Sequence, residues 1–366
     1  MSRFEFSIAG AADDAELRQR MAQDWMDGEI AVSFRREPSY FAGCALQGED
    51  VQTIKCTDRT TGRIVGMGSR LKTHVYVNGE PKQIGYLADL RAAPQFRNGT
   101  LLARGYRFLR GLEQADRLPF SFSIVFDGNK RALKTLLGAR AGLPVYTPMG
   151  AVRTPALHLD VPKRAIEVPG VAFAQGSAAR AEEIVSFLNA RMALRQLAPV
   201  YRPRDFQPGG RLADFPFERF YLALRGGRVA GTLAAWDQSA VRQTHIERYS
   251  TLLSLLRPFY NLASKLTPLK PLPSPGSRVP YLYLACLCVE NDDPALFRGL
   301  LRFAYNALRK GPWHYAIAGL HERDPLAPVL SEYRSIPAAG RLFVVKFGGL
   351  PVALDGRVPY VEMAFV

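Results

Sequence analysis

The stretch YLADLRAAPQFRNGTLLARGYRFL, residues 86–109, carries the pattern that decides the fold. It passes from an apolar, strand-like run through a turn with Pro94 and Arg97 into a helical pattern that begins at Thr100. The first N–H groups of a helix lack partners within the helix and lie at the positive end of its dipole. A basic loop at this position predicts either a phosphate site or a purely structural turn.

Composition bounds the class of protein. The chain has 366 residues, of which 48% are hydrophobic and 22% charged, as in ordinary globular proteins. This length exceeds that of a usual single domain, so we expect two. The 48 Lys and Arg residues exceed the 33 Asp and Glu residues, for a formal net charge of +15. That excess favours acidic partners in general, and a solvated basic surface explains it equally well.

Targeting signals and cysteines indicate the compartment. The first residues show no basic segment followed by an apolar one, and no run of about 18 apolar residues appears later. Cys44, Cys56, Cys286 and Cys288 have spacings that suit reduced thiols better than a disulfide framework. We therefore expect a cytoplasmic protein. Neither these cysteines nor the five histidines have the spacing of metal ligands, so no metal is expected.

The two halves of the chain repeat one order of elements: strand, helix, antiparallel strands, helix, strand, helix, strand. Such an internal repeat indicates duplication. We predict an α/β fold with mixed sheets, built as two tandem domains at 1–160 and 169–366, with an insertion at about 247–277. The insertion is apolar and basic at first and then rich in proline. It is either a flap packed on the protein or a patch that makes peripheral contact with a membrane.

The run Ala88-Asp89-Leu90-Arg91-Ala92-Ala93-Pro94-Gln95-Phe96-Arg97-Asn98-Gly99-Thr100, within this order of elements, resembles the GNAT superfamily of N-acetyltransferases. In that family the strand before the loop splays from its neighbour, and the loop and next helix bind the pyrophosphate of acyl coenzyme A. The family pattern is Gln or Arg, two residues, Gly, any residue, then Gly or Ala. Asn98 and Thr100 stand where Gly is usual, but Asn tolerates positive φ and Thr100 adds a hydroxyl.

The resemblance implies a set of coenzyme-binding residues. They are Leu90, Arg91, Ala92, Gln95, Phe96, Arg97, Asn98, Gly99, Thr100, Leu101 and Asn129. Asn129 belongs to a second similar segment, where it and Ala132 match the family and Leu143 does not. The resemblance places Asn129 beside the pantetheine arm, whereas the residue alone fits a helix N-cap equally well.

Two residues are candidates for the chemistry. Attack of an amine on a thioester needs a neutral amine, so a base assists it. Asp89 lies on the strand where many enzymes of the family carry an acidic residue, and it is either a base or amine anchor or the partner of an arginine such as Arg91. The family tyrosine that protonates the leaving thiolate is absent from its place at 135–137. Tyr146 is a candidate for that role, with strand packing as the alternative.

The equivalent loop of the second half is acidic. Glu290, Asp292 and Asp293 would repel a pyrophosphate, so we expect only the first half to bind coenzyme. The alternative is that these acids complement the start of the next helix. The resemblance to tandem GNAT proteins implies an acceptor site between the halves. Nearby basic residues suggest an anionic acceptor; these are Arg191, Arg195, Arg202 and Arg204.

Together these features predict an N-acyltransferase that uses acetyl-CoA or another acyl-CoA. We expect direct attack by the amine of an unidentified acceptor, because no residue stands out as a nucleophile for a covalent intermediate. The alternative is a non-catalytic scaffold that binds acyl-CoA or a partner protein. Nucleic acid is not an expected partner, since helical spacing explains the aromatic residues at 104–108.

Overall fold

The computed structural model describes residues 2–97, 100–138, 142–349 and 351–366. Its strands are β1 (Phe4–Ile8), β2 (Ile30–Arg35), β3 (Glu49–Asp58), β4 (Arg63–Val77), β5 (Glu80–Ala92), β6 (Ser121–Phe126), β7 (Val145–Arg153), β8 (Ala156–His158), β9 (Val171–Gln175), β10 (Phe220–Arg225), β11 (Arg228–Trp236), β12 (Gln243–Tyr249), β13 (Tyr281–Val289), β14 (Tyr315–Ala318), β15 (Leu320–His321), β16 (Ser335–Ile336) and β17 (Ala339–Lys346). Its α-helices are α1 (Asp14–Gln23), α2 (Tyr40–Ala45), α3 (Leu101–Ala115), α4 (Lys130–Leu136), α5 (Ala181–Met192), α6 (Thr251–Ala263), α7 (Pro294–Leu308) and α8 (Ala327–Leu330).

The strands form two large sheets, one centred on each half. The first has the order β1-β3-β4-β5-β6-β17-β7-β15 and the second β16-β8-β14-β13-β11-β10-β9. In each sheet antiparallel strands lead to a central strand, β5 or β13, whose next neighbour, β6 or β14, is parallel to it. This mixed arrangement confirms the predicted α/β class.

Strands cross between the halves: β15 and β17 of the second half join the first sheet, and β8 of the first half joins the second sheet. β17, near the end of the chain, lies between β6 and β7 of the first sheet and pairs antiparallel with both. In return β8, from the first half, lies between β14 and β16 of the second sheet. Each sheet is therefore completed by the other half.

One apolar core joins the halves, and a smaller core fixes α3. The large core includes residues of both sheets, such as Leu71 and Ile84 of the first and Leu284 of the second. α3 packs through Tyr106 and Leu109 against the smaller core. This packing holds the beginning of α3 beside the end of β5, where a phosphate site was predicted.

An arm outside the two sheets carries the insertion. β12 pairs antiparallel with β2 from Gln243↔Arg35 to Tyr249↔Ile30. α6 follows directly, capped by Ser250, whose hydroxyl accepts from Leu253 N–H. The chain then returns through its proline-rich part to β13.

Candidate functional site

β5 and β6 splay apart at the predicted position. Their parallel pairing is confined to Gly85↔Ser121 and Tyr86↔Phe122. At Gly85 the strands are so close that an added Cβ would meet Ser121 Oγ at 2.1 Å. The rings of Tyr86 and Phe122 stack with centroids 4.6 Å apart at the apex. Beyond it β6 stays with β17 and β5 stays with β4, so the two strands diverge, although Ser123 Oγ still donates to Leu87 O at 2.9 Å. We call this V-shaped divergence the cleft.

A β-bulge at Asp89 bends β5 away from β6. Ser69 pairs with Ala88 and Met67 with Arg91, so two residues of β5 oppose one of β4. Asp89 has φ of 55°, a conformation that non-glycine residues rarely adopt. Bulges sharpen the local twist and re-aim side chains. This bulge places Asp89 beside the cleft.

Asp89 pairs with Arg36 and not with Arg91. Arg36 Nη2 lies 2.7 Å from Asp89 Oδ2, and their side chains are only 4% and 11% exposed. Burial alone would lower the pKa of Arg36, but the neighbouring Asp89 carboxylate helps to raise that pKa above its usual value. Arg36 Nη2 also donates to Gln47 Oε1 at 2.6 Å. The guanidinium is therefore locked in place and holds Asp89.

Tyr40 links Asp89 to a row of hydroxyls. Its Oη donates to Asp89 Oδ2 at 3.1 Å and lies 2.8 Å from Ser69 Oγ. Ser69 in turn lies 3.0 Å from Thr53 Oγ1. Burial, followed by the Asp89 charge, raises the pKa of Tyr40 well above its usual value, so this hydroxyl keeps its proton. Both contacts to Asp89 use the same carboxylate oxygen, Oδ2.

The loop after β5 is strongly basic. Arg97 forms an ion pair with Asp24, just after α1, and its Nε donates to Ala92 O at 2.8 Å. Arg91 Nη1 lies 3.8 Å from Asp24 Oδ2, and Arg20 Nη2 lies 3.6 Å from Oδ1. Three guanidiniums thus share one carboxylate. The cluster has a surplus of positive charge, which suits a phosphate at this end of the cleft.

The other predicted loop residues fall into three groups. Ala92, Phe96 and Leu101 belong to a small apolar cluster, in which the Phe96 ring packs edge-on against Phe4 at 5.2 Å. Those side chains fix the loop. Leu90, Gln95 and Thr100 are exposed. Asn98 and Gly99 lie outside the described residues. That Asn98 can replace the usual glycine in a phosphate-binding loop therefore stays a prediction.

Asn129 caps a helix. Its Oδ1 accepts from Ala132 N–H at 3.1 Å at the start of α4. This geometry matches the N-cap alternative, and a contact with pantetheine stays a prediction.

Tyr146 lies in the smaller core and not on a free surface. Its hydroxyl is 2.6 Å from Tyr106 Oη, and its ring packs edge-on against Phe343. Burial raises the pKa of Tyr146 well above its usual value and that of Tyr106 to about 12. These contacts favour the packing role over that of an acid.

The second half contains the same splay, but the C-terminal segment fills it. Cys286 has φ of 55° at an equivalent bulge on β13. Glu362 accepts from Cys286 N–H at 2.8 Å, and Tyr360 Oη accepts from Leu287 N–H at 3.2 Å. On the other side of the splay, Met363 lies so close to Gly319, after β14, that an added Cβ would meet its Cγ at 1.9 Å. The segment is a wedge between β13 and β14.

The acidic loop of the second half is occupied by internal contacts. Asp293 caps α7 by accepting from Ala295 N–H at 2.8 Å. Asp292 pairs with Arg195 at 2.8 Å, and Glu290 with Arg225 at 2.8 Å. Asp293 thus has the role given as the alternative in the sequence analysis, that of an acid at the start of the next helix. Arg191, Arg195 and Arg202, which suggested an anionic acceptor, are paired with Asp292, Asp324, Glu49 and Asp205.

Sequence reasoning missed the residues that hold the site. Arg36 lies between β2 and α2, and Asp24 follows α1. The one available signal was Asp89 itself, since a carboxylate in an apolar strand requires a buried cation or an open cleft. A single sequence does not identify that cation.

Comparison with solved structures identifies the fold. A yeast N-myristoyltransferase with bound myristoyl-CoA, from Saccharomyces cerevisiae, superposes with a TM-score of 0.62 at 11% identity over 99% of this chain and 90% of that one. A GCN5-related N-acetyltransferase from Sphaerobacter thermophilus gives 0.58 at 10% identity over 97% and 99%. A glucosamine N-acetyltransferase region of a fungal multi-domain beta-N-acetylglucosaminidase gives 0.57 at 14% identity over 94% of this chain but only 38% of that one.

These likenesses span nearly the whole chain, which therefore has a GNAT-like fold arranged as two tandem halves. No protein-family model matches the sequence, and a search of curated proteins found no match. Within the described ranges, no helix is long and apolar enough to cross a bilayer. The same residues contain no group of three or more His, Cys, Asp or Glu side chains suited to hold a metal ion.

Proposed function

We propose that the protein is an acyl-CoA-dependent N-acyltransferase whose first half binds acetyl-CoA or another acyl-CoA. The observation that carries this proposal is the contrast between the two splayed strands. The cleft beside β5 ends in a cluster of three arginines, whereas the equivalent cleft beside β13 is filled by Glu362 and Met363. The fold is shared with proteins named as N-acetyltransferases and with an N-myristoyltransferase that binds myristoyl-CoA, which supports an acyl-CoA donor.

We assign the donor site to the loop and the splay. Arg91, Arg97 and Arg20 bind the phosphates, with the N-terminus of α3 as an additional source of positive potential. The thioester lies against β5 beyond the apex at Tyr86, where its pairing with β6 has ended. Backbone N–H groups on that edge polarise the thioester carbonyl and stabilise the oxyanion that forms when the amine attacks.

We assign Asp89 to the acceptor amine. Arg36 and Tyr40 both contact Oδ2, so we place the incoming ammonium at Oδ1. From there the carboxylate orients the amine and accepts its proton. Tyr146 is left out of the mechanism because its buried hydroxyl is bonded to Tyr106. Water then protonates the leaving thiolate.

The alternative function is a scaffold that binds acyl-CoA without turnover. The observation in its favour is the Arg36–Asp89 ion pair, which gives Asp89 a structural role. Calorimetric titration with acetyl-CoA and with longer acyl-CoAs, followed by an assay for thiol release with a panel of amines, separates the two. Binding with thiol release supports the transferase, and binding without it supports the scaffold. If none of the acyl-CoAs binds, both the transferase and the scaffold are overturned.

A further inference from the structure

α6 presents its apolar side to solvent. Its outward stripe recurs every three or four residues, the spacing of one helix face. The stripe extends one turn past the helix, and its members are 50% to 89% exposed: Leu252, Leu255, Leu256, Phe259, Leu262 and Leu266. No residue of α6 is buried. We call this stripe the α6 apolar face.

The polar side of α6 faces inward. Asn261 bonds twice to the returning segment, by donating to Leu272 O at 3.1 Å and accepting from Leu272 N–H at 2.8 Å. Arg257 Nη2 donates to Ser274 Oγ at 2.7 Å. A helix on a water-soluble protein normally buries its apolar stripe. In this protein, polar contacts to residues 272–274 hold the polar side of α6 against the protein. The apolar face is therefore exposed to solvent.

The segment that carries this face is basic. Between 250 and 289 the sequence contains Arg257, Lys265, Lys270 and Arg278 but no Asp or Glu. Lys270 Nζ lies 3.4 Å from the carbonyl oxygens of Arg309 and Gly311, which brings the basic end of α7 alongside. Pairing with a second copy through this face would bring like charges together. An anionic surface complements them instead.

We propose that the α6 apolar face docks on an anionic lipid bilayer. The helix lies in the plane of the interface, its Leu and Phe side chains enter the acyl boundary, and the exposed Lys265 contacts lipid headgroups. The displayed row of long apolar side chains and the exclusively basic segment are the two properties that such binding requires. The inference does not depend on acyl transfer.

Flotation of the full chain with vesicles tests the proposal. We expect binding to phosphatidylcholine vesicles that contain phosphatidylserine, weaker binding to phosphatidylcholine alone, and loss of binding as salt rises. The double variant Leu255→Ser with Phe259→Ser should lower the partition coefficient about tenfold or more. Val161→Ser is the matched control, since Val161 is 45% exposed outside the insertion, and it should bind as wild type does.

Three results would overturn the proposal. The first is wild-type protein that floats with neither vesicle, and the second is equal binding to both. The third is a concentration-dependent dimer in sedimentation that the double variant abolishes without any effect on flotation. Circular dichroism confirms that the variants are folded. If the double variant misfolds, Lys265→Gln provides the test, because loss of one exposed cation should weaken only the binding to phosphatidylserine vesicles.

Discussion

Asp89 and Cys286 have the same backbone conformation, with φ of 55° at both, on the bulge where the central strand of each half leaves its parallel neighbour. In the first half the side chain at this position is a carboxylate held by Arg36 at 2.7 Å. In the second it is a thiol whose Sγ lies 3.5 Å from Tyr201 Oη, and burial raises its pKa well above the usual value. One backbone feature therefore supports an ionic group in one cleft and a neutral group in the other.

Reversal of charge at Arg97 should abolish acyl-CoA binding. Arg97→Glu replaces a phosphate partner with a carboxylate beside Asp24, and we expect affinity to fall by at least about a hundredfold in calorimetry. The matched control is Arg341→Glu. Arg341 is an exposed arginine on β17 that pairs with Asp127, and this variant should bind acyl-CoA normally. Equal affinities in the two variants would remove the loop from the donor site.

Asp89→Asn should separate binding from turnover. The amide cannot accept the amine's proton, so turnover should fall by about a hundredfold or more while calorimetric affinity for acyl-CoA stays unchanged. The variant also leaves the buried Arg36 without its carboxylate partner. The free energy of unfolding, measured by urea denaturation, should therefore fall by about 3 kcal/mol.

Arg36→Met is the control for the structural part of that loss. It breaks the same ion pair but keeps the carboxylate, so it should lose stability and retain more activity than Asp89→Asn. Full turnover in Asp89→Asn would remove this residue from the mechanism.

Glu362→Gln should change how stability depends on pH. Burial raises the pKa of Glu362 above the ordinary glutamate value of 4.5, so the folded protein holds this proton more tightly than the unfolded chain. The stabilisation is complete below the unfolded pKa and is lost as pH rises through the folded one. Wild type should therefore become less stable relative to the variant as pH rises above about 4.5. A pH series of urea denaturation curves measures this difference, and parallel curves would contradict the assignment.

Gly319→Ala should loosen the wedge in the second cleft. The new Cβ would overlap Met363 Cγ. Such overpacking should lower the free energy of unfolding by about 1–3 kcal/mol. Gly356→Ala has nothing within 4 Å of the added carbon and should change stability by less than about 0.5 kcal/mol. Chemical denaturation compares them. Stability equal to wild type in Gly319→Ala would show that the wedge is free to move aside.

The sequence predicts those parts of the fold that local periodicity encodes. The helix α3 begins at Leu101, one residue after the start that the sequence pattern predicted at Thr100, because helical spacing is a property of neighbouring residues. Short elements such as β2 and α2 carry too few residues to show a period. The exchange of β8 and β17 depends on pairing between distant parts of the chain, which no local pattern records.

The same limit applies to the candidate site. The loop and Asp89 were predicted because their residue types are unusual in their immediate surroundings. Arg36 and Tyr40 were not, since they come from a separate segment about 50 residues earlier in the chain. For Tyr146 the sequence left acid catalysis and strand packing both open, because nothing near it in sequence reveals the Tyr106 hydroxyl across the smaller core.

The exchanged strands also determine when folding can finish during synthesis. β7 ends at Arg153, but the strand between it and β6 is complete only when Lys346 has left the ribosome, a delay on the order of ten seconds. During that time β6 and β7 have open edges that invite pairing with other nascent chains. The first half is therefore expected to need protection by chaperones until its partner strand arrives, although it carries the candidate donor site by itself.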